Sequence, residues 1–303
     1  MTSAVSPIST ATDFPPSPWM MAIPFVFVLI WSTGFIVAKF GLPYAPPLTF
    51  LLLRFTGVLL VLVPLVLLMR APWPVGKIRH IACAGVLVQA GYLAGVWCAI
   101  KLGMPAGLSA LIVGMQPILT AFAAPLIGEK VSSRQWIGLV FGLCGVGLVV
   151  ANKMTLTGLS WESVSLCLLA LGSITVGTLY QKKNCPHFDL RTGTIIQFAA
   201  SFVVVLPFAI AFENFSPALE SVQWTPRFIG ALLWSVGALS IGAIFLLFSL
   251  IRKSAATRVT GLLYLTPPTT AVMAWLMFGE ALSLIGIAGM VVAVIGVVFV
   301  VKK

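Results

Sequence analysis

The sequence predicts an all-α integral membrane protein with ten transmembrane helices, arranged as two inverted repeats of five helices. Three observations lead to this fold class: the scarcity of charged residues, the spacing of the apolar segments and an internal repeat. Only 8% of the 303 residues are Asp, Glu, Lys or Arg, whereas 60% are apolar and the mean hydropathy is +1.10. Because a soluble domain carries about 25% charged residues, the composition excludes a soluble enzyme, a disordered chain and a disulfide scaffold.

The formal net charge of +11 does not indicate a nucleic-acid partner. Eighteen basic residues are too few, in a chain this apolar, to form a continuous phosphate-binding surface. The five cysteines form no Cys-x-x-Cys pair, and four of them lie inside apolar segments. Such cysteines are typical of packing residues, so we expect neither a bound metal nor a cofactor.

Ten segments are long and apolar enough to be spanning helices, which need about 20 such residues. Proline and glycine mark the breaks between them, as at Pro43, Pro72 and Gly103. Residues 1–19 contain no Lys or Arg, which a cleaved signal peptide would require, and are predicted to form a flexible cytoplasmic tail. The predicted helices cover residues 20–40, 47–69, 78–101, 106–127, 132–151, 160–183, 192–212, 227–251, 256–278 and 282–301.

The distribution of Lys and Arg predicts how these helices are oriented, because basic residues collect on the cytoplasmic face of a membrane protein. If the N-terminus is cytoplasmic, 13 of the 18 basic residues lie on that face and five lie on the outer side or in outer helix halves. We therefore expect a multi-pass protein of the inner cell membrane with both termini in the cytoplasm.

The two halves of the chain match each other in sequence, which predicts an internal repeat of residues 20–151 and 160–301. Because each half has an odd number of helices, the halves must enter the membrane from opposite sides. With a shift of 143 residues early in each half and 151 residues later, the matching pairs include Gly34 and Gly177, Lys39 and Lys182, Phe55 and Phe198, Pro117 and Pro268, Gly128-Glu129 and Gly279-Glu280, and Gly145 and Gly296.

Several of these motifs resemble those of a known family. The chain is similar to the EamA branch of the drug/metabolite transporter superfamily over residues 20–301. The residues that carry the resemblance are the Pro117…Gly128-Glu129 and Pro268…Gly279-Glu280 signatures, the Gly138/Gly142/Gly145 helix, the Trp31-Ser32-Thr33-Gly34 start and Arg54. The resemblance implies an inner-membrane secondary transporter, not an enzyme, that exports amino acids or similar small metabolites. A small-molecule solute and the lipid bilayer are its implied partners.

An inverted repeat underlies alternating access in many carriers, and the acidic residues limit how such a carrier is driven. None of the seven Asp and Glu residues lies in the middle of a predicted helix, so the sequence favours uniport or facilitated efflux. A channel-like pore and a proton-coupled drug antiporter are the alternatives. Glu129 and Glu280 lie at helix ends, where we expect them to bind nearby backbone or Lys130 and Arg134.

Two prolines at matching positions predict interruptions in the fourth helix of each repeat. Pro117 and Pro268 lie near the middle of their predicted helices, and proline cannot donate to the carbonyl four residues earlier. Paired helix breaks at one depth point to a binding site in carriers, so both residues are predicted to serve as helix breaks or gates. A simple packing kink is the alternative.

Polar and aromatic residues at mid-helix positions are predicted to outline a neutral cavity with aromatic walls. Such a cavity suits an amphipathic metabolite or a zwitterion better than a polyanion. Hydrogen bonds between helices, worth about 0.6 kcal/mol each, are the alternative use of these side chains. The predicted substrate-binding residues are Trp31, Arg54, Gln89, Tyr92, Gln116, Ser173, Thr175, Ser240 and Tyr264.

Two further features leave alternatives open. Arg54 is matched by neutral Gln197 in the repeat, and it either holds a substrate carboxylate, snorkels outward or binds carbonyls of a neighbouring helix. Small residues four apart, Gly138 and Gly142 in one half and Gly289 and Ala293 in the other, permit close helix contact. That contact is either intramolecular or a homodimer interface, so we expect a monomer or a weak homodimer.

Overall fold

The computed structural model describes residues 18–123, 132–157, 159–243, 246, 265–281 and 283–301, and within them it contains helices and turns but no strand. The predicted all-helical class is therefore confirmed for this part of the chain. The helices are α1 (Pro18–Gly41), α2 (Pro47–Leu68), α3 (Ile78–Lys101), α4 (Ala106–Val113), α5 (Gln116–Ala123), α6 (Ser133–Thr157), α7 (Trp161–Asn184), α8 (Leu190–Glu213), α9 (Pro226–Gly242), α10 (Thr266–Phe278) and α11 (Leu284–Val301).

Four of these helices, α2, α3, α7 and α8, are long and apolar enough to cross a membrane. Shorter apolar stretches lie in α1, α6, α9 and α11 and across α4 and α5. Every apolar segment predicted from the sequence overlaps a described helix. The number of ten spans and the cytoplasmic position of both termini stay predictions, and residues 1–17 of the predicted tail lie outside the described residues.

The last helices of the two halves, α6 and α11, pack closely against each other through small residues. A Cβ atom added to Gly145 would lie 2.5 Å from the carbonyl oxygen of Gly289, and one added to Gly296 would lie 2.6 Å from that of Gly138. The small-residue pattern is thus used within the chain. The oligomeric state stays a prediction.

Helices α2 and α8 occupy matching places in the two repeats and pack against each other at the centre of the molecule. Phe55 of α2 and Phe198 of α8 are fully buried, and their rings meet edge to face with centroids 5.4 Å apart. These two residues are equivalent under the repeat, and a residue that contacts its own equivalent lies on the axis that relates the halves. The contact is the one expected on the axis of the predicted inverted repeat.

Both repeats contain a widened helical turn at the same place. Val86–Gly91 of α3 and Ser235–Gly242 of α9 are π-helical, and the shift of 151 residues superimposes the first segment on the end of the second. Helix α2 packs against the π segment of the second half, and α8 packs against that of the first. Segments of π-helix are frequent at functional sites, and the sequence analysis did not predict these two.

The fourth predicted helix, residues 106–127, is broken rather than continuous. Helix α4 ends at Val113 and α5 begins at Gln116, so Pro117 lies in the first turn of a helix. Pro268 likewise lies in the first turn of α10, although residues 247–264 before it are not described. The interruption predicted at Pro117 is therefore observed, and the proline lies in the first turn after it, where its missing backbone donor is not needed.

Candidate binding cavity

A cavity of about 270 Å³ lies between the two repeats, at the centre of the helix bundle. Residues of α1, α2 and α3 line it from the first half, and residues of α7, α8 and α9 line it from the second. Cavities that bind small molecules are of similar size or larger, with apolar walls and a few polar groups. This cavity can therefore hold a compact small molecule.

Large apolar side chains form most of the cavity wall. Trp31 and Phe35 approach from α1, Trp97 from α3 and Phe198 from α8. Phe35, Trp97 and Phe198 are otherwise buried in the core, so their positions are set by packing. Rigid aromatic walls of this kind bind the apolar part of a ligand with little loss of side-chain freedom.

Neutral polar side chains line one part of this wall. Thr178 and Gln181 come from α7, and Thr194 and Gln197 come from α8. The side-chain amide of Gln197 donates a hydrogen bond of 3.0 Å to Oε1 of Gln181, which joins the two helices beside the cavity. On each helix these two polar positions are three residues apart, which places them on one face.

Arg54 provides the positive charge of the described cavity lining. Only 6% of this residue is exposed, and its Nε donates a 3.1 Å hydrogen bond to Oγ of Ser240. The Ser240 hydroxyl in turn donates to the carbonyl of Ser235, 2.9 Å away, within the π segment of α9. Such burial is incompatible with the outward-snorkelling alternative, and the observed partner is a side chain.

Five predicted site residues line the cavity, and one lies directly beside it. The five are Trp31, Arg54, Gln89, Tyr92 and Ser240. Gln116, at the start of α5, donates a 3.2 Å hydrogen bond to Oγ1 of the lining residue Thr178 but does not itself line the cavity. The predicted residues thus include members of the cavity wall from both repeats, and their role in substrate binding stays a prediction.

Two predicted residues of α7 do not line the cavity. Ser173 donates to the carbonyl of Leu87 at 2.8 Å, and Thr175 donates to that of Leu171 at 2.7 Å. Ile174, which lies between them in the sequence, faces the cavity. Because successive helical residues are rotated by about 100°, Ser173 and Thr175 point away to either side of it. Both hydroxyls thus bond helix backbone, which is the packing use that was the alternative to lining a cavity.

The remaining predicted residues have other positions. Tyr264 lies outside the described residues. Pro117 and Pro268 are not among the described residues that line the cavity, but the break before Pro117 lies close to the start of α10. A Cβ atom on Gly114, in the turn before Pro117, would lie 2.7 Å from Cγ of Pro267. The break in the first repeat thus contacts the first turn of α10.

The polar side chains that α7 and α8 contribute to the cavity were not predicted from the sequence. Gln197 is the neutral equivalent of Arg54 in the sequence, and that equivalence is itself a signal, because Arg54 is a predicted site residue. The face shared by Ile174, Thr178 and Gln181 was a second signal, since this i, i+4, i+7 spacing carries polar groups within an apolar helix.

A separate ionic contact joins three helix ends away from the cavity. Glu280, just after α10, accepts a 2.7 Å bond from Lys39 Nζ at the end of α1 and a 3.1 Å bond from the backbone N–H of Ala106 at the start of α4. The expected binding of Glu280 to helix-end backbone is therefore observed, with Lys39 as its basic partner. Glu129, the equivalent residue, lies outside the described residues.

Comparison with known proteins assigns the chain to a family. The profile of the EamA-like transporter family matches residues 18–151 and again residues 161–302. A solved crystal structure aligns with 91% of this chain and 94% of its own, with a TM-score of 0.61 at 19% identity, which supports the fold.

Curated relatives match over most of their length. A probable amino-acid metabolite efflux pump of Salmonella typhimurium is 26% identical, with 89% of this chain and 90% of the relative covered. The Bacillus subtilis transporter YvbV is 30% identical, with 91% of this chain and 89% of the relative covered. The Escherichia coli inner membrane transporter YedA is 28% identical, with 91% of this chain and 88% of the relative covered.

Proposed function

The chain belongs to the EamA-like transporter family, and we propose that it is an inner-membrane carrier that exports amino acids or similar small metabolites by alternating access. The observation that carries this proposal is the central cavity, because both repeats contribute equivalent helices to it. Carriers built from inverted repeats hold their solute at the repeat interface. The Salmonella relative is named an amino-acid metabolite efflux pump, which supports the solute class and the direction.

We further propose that the protein is in one of the two states of a carrier. Towards the predicted outer face, α4 and α10 are in backbone contact, since a Cβ on Gly107 would lie 3.0 Å from Cα of Ala271. Glu280 joins α1 and α4 on that same side. The lining residues Gln181 and Phe188 lie instead at the predicted cytoplasmic ends of α7 and α8. We interpret this arrangement as a cytoplasm-facing state.

The composition of the cavity favours uniport or facilitated efflux over proton coupling. A proton-coupled carrier needs a group that changes its protonation within the transport path. None of the described residues that line the cavity is Asp, Glu or His. The proposed cycle therefore follows the solute gradient.

The proposal is tested by solute counterflow in liposomes containing the purified protein. Labelled amino acids and related metabolites are presented outside vesicles preloaded with unlabelled solute, and we expect saturable uptake without an ion gradient. Trp31→Ala should lower the flux severalfold, because Trp31 lines the cavity. Trp161→Ala is the matched control, since Trp161 is 70% exposed at the start of α7.

Three outcomes would contradict parts of the proposal. Absence of saturable flux for every solute would overturn the carrier function. Flux that rises linearly with concentration would favour the channel-like pore. Uptake that collapses when a protonophore is added would favour the proton-coupled drug antiporter.

A further inference from the structure

We propose that the cavity selects solutes that carry one carboxylate on an apolar or aromatic body, with the Arg54 guanidinium as counter-ion. This inference rests on the proposed transport function and names the substrate class of the same cavity. Among the amino acids and similar small metabolites of the proposed function it singles out monocarboxylates, because it requires the negative charge and does not require an ammonium group.

The first argument is that the charge of Arg54 is left uncompensated. Its Nε is bonded to Ser240, and its two terminal nitrogens have no hydrogen-bond partner among the described residues. Arginine remains protonated in proteins, and a buried charge without a partner is costly. An anion in the cavity would remove that cost, so a bound carboxylate is stabilised relative to a neutral analogue.

The second argument concerns the number of charges. The described lining contains Arg54 as its one basic residue, and its other polar groups are amides, hydroxyls and an indole or phenol. A dianion would bring a second negative charge into this apolar space without a counter-ion. An ammonium group would find no carboxylate among these residues. The balance therefore fits a net charge of −1 better than −2, 0 or +1.

The third argument concerns geometry. The Nε of Arg54 donates to Ser240, so its two terminal nitrogens remain for a ligand. Their parallel N–H donors match the two oxygens of a carboxylate. The hydrogen bond from Arg54 to Ser240 and the onward bond from Ser240 to the carbonyl of Ser235 anchor the Arg54 side chain of α2 to α9. Around it, Trp31, Phe35 and Phe198 form the apolar wall that would receive the body of the solute.

The experiment measures binding of a series of similar shape and different charge to the purified protein. The series is 3-phenylpropionate at −1, 3-phenylpropanamide at 0, phenylalanine as a zwitterion, phenethylamine at +1 and benzylmalonate at −2. We expect 3-phenylpropionate to bind about 10- to 100-fold more tightly than its amide, since hydrogen bonds to charged groups are worth about 1.5–3 kcal/mol. The other three compounds should bind more weakly than 3-phenylpropionate.

Two variants test the role of Arg54. Arg54→Gln installs the residue type found at the equivalent Gln197, and it should reduce the preference for carboxylate over amide to about one while amide binding is retained. Arg54→Lys keeps the charge without the planar fork and should retain part of the preference. The wild-type ligand series needs no variant, so misfolding of either one does not prevent the test.

The outcomes separate this inference from the transport proposal. If the wild type binds 3-phenylpropanamide or phenylalanine as tightly as 3-phenylpropionate, the inference is overturned while saturable flux of other solutes can still support transport. If Arg54→Gln folds and keeps the preference, Arg54 is a packing residue and the inference is likewise overturned. If 3-phenylpropionate binds selectively but no solute is transported, only the transport proposal fails.

Discussion

The two repeats are alike in the residues that hold the helices together and unlike in the residues that face the cavity. Gly145 and Gly296 make equivalent close contacts between α6 and α11. Arg54, in contrast, is matched by Gln197, and both line the cavity. In the proposed alternating-access cycle the two halves exchange roles, which requires equivalent packing. The described cavity lining, in contrast, is charged where Arg54 lies and neutral at the equivalent Gln197.

The beginnings of α2 and α8 show a second difference between equivalent helices. Asp189 caps α8 locally, whereas its equivalent in the first repeat is Pro46, which has no capping side chain. The start of α2 is capped instead by Glu213, from the far end of α8. The equivalent of Glu213 is Arg70, whose positive charge does not suit a helix N-terminus. The free N–H groups at the helix start are thus capped by a neighbouring residue in α8 and by a distant residue in α2.

The equivalence of the packing residues is tested by adding a methyl group to each repeat. Gly145→Ala and Gly296→Ala should each lower stability by about 2–3 kcal/mol, because the new Cβ meets backbone that cannot move aside. Thermal unfolding in detergent measures the loss. Gly147→Ala is the control, since nothing lies within 4 Å of its added Cβ. A large loss of stability at only one of the two positions would contradict the equivalence of the two packing contacts.

The tertiary cap of α2 is tested with Glu213→Gln. The Glu213 carboxylate accepts bonds of 2.8 Å from the backbone N–H groups of Leu48 and Thr49 and one of 2.9 Å from the Thr49 hydroxyl. Removing its charge should cost about 1–2 kcal/mol, measured as a lower unfolding temperature. Glu220→Gln, an exposed position, should have no effect, and an equal loss there would contradict the capping role.

The local cap of α8 by Asp189 should contribute less to stability than the cap of α2 by Glu213, and its contribution should depend on pH. The hydrogen bond from Arg191, 2.6 Å long, lowers the pKa of Asp189 below its usual range. Its stabilisation is therefore complete above the unfolded-state pKa of about 3.9 and is lost as the pH falls through the lower folded-state pKa.

Asp189→Asn keeps a capping side chain and removes the charge, so it should cost only about 0.5 kcal/mol at neutral pH. The difference from wild type should disappear at acidic pH, as followed by unfolding temperature across a pH series. A loss as large as that of Glu213→Gln would remove the distinction between local and tertiary caps.

The sequence predicted the positions of the helices closely because long apolar segments bounded by Pro and Gly determine them. It also predicted five cavity residues, since mid-helix polar groups are unusual in spanning segments. Ser173 and Thr175 do not line this cavity, because a hydroxyl in an apolar helix can bond the backbone of its own or a neighbouring helix. Residue type alone does not distinguish that use from a cavity-lining one.

By itself, the sequence determined an apolar helical chain, its internal repeat and its resemblance to a transporter family. These properties depend on composition and on spacing along the chain, which are visible without coordinates. Only the tertiary structure decided that Arg54 bonds to Ser240, that Gln197 joins Gln181 and that Glu213 caps a distant helix. Such contacts join helices far apart in sequence, and they depend on helix rotation and crossing, which packing of the whole bundle sets.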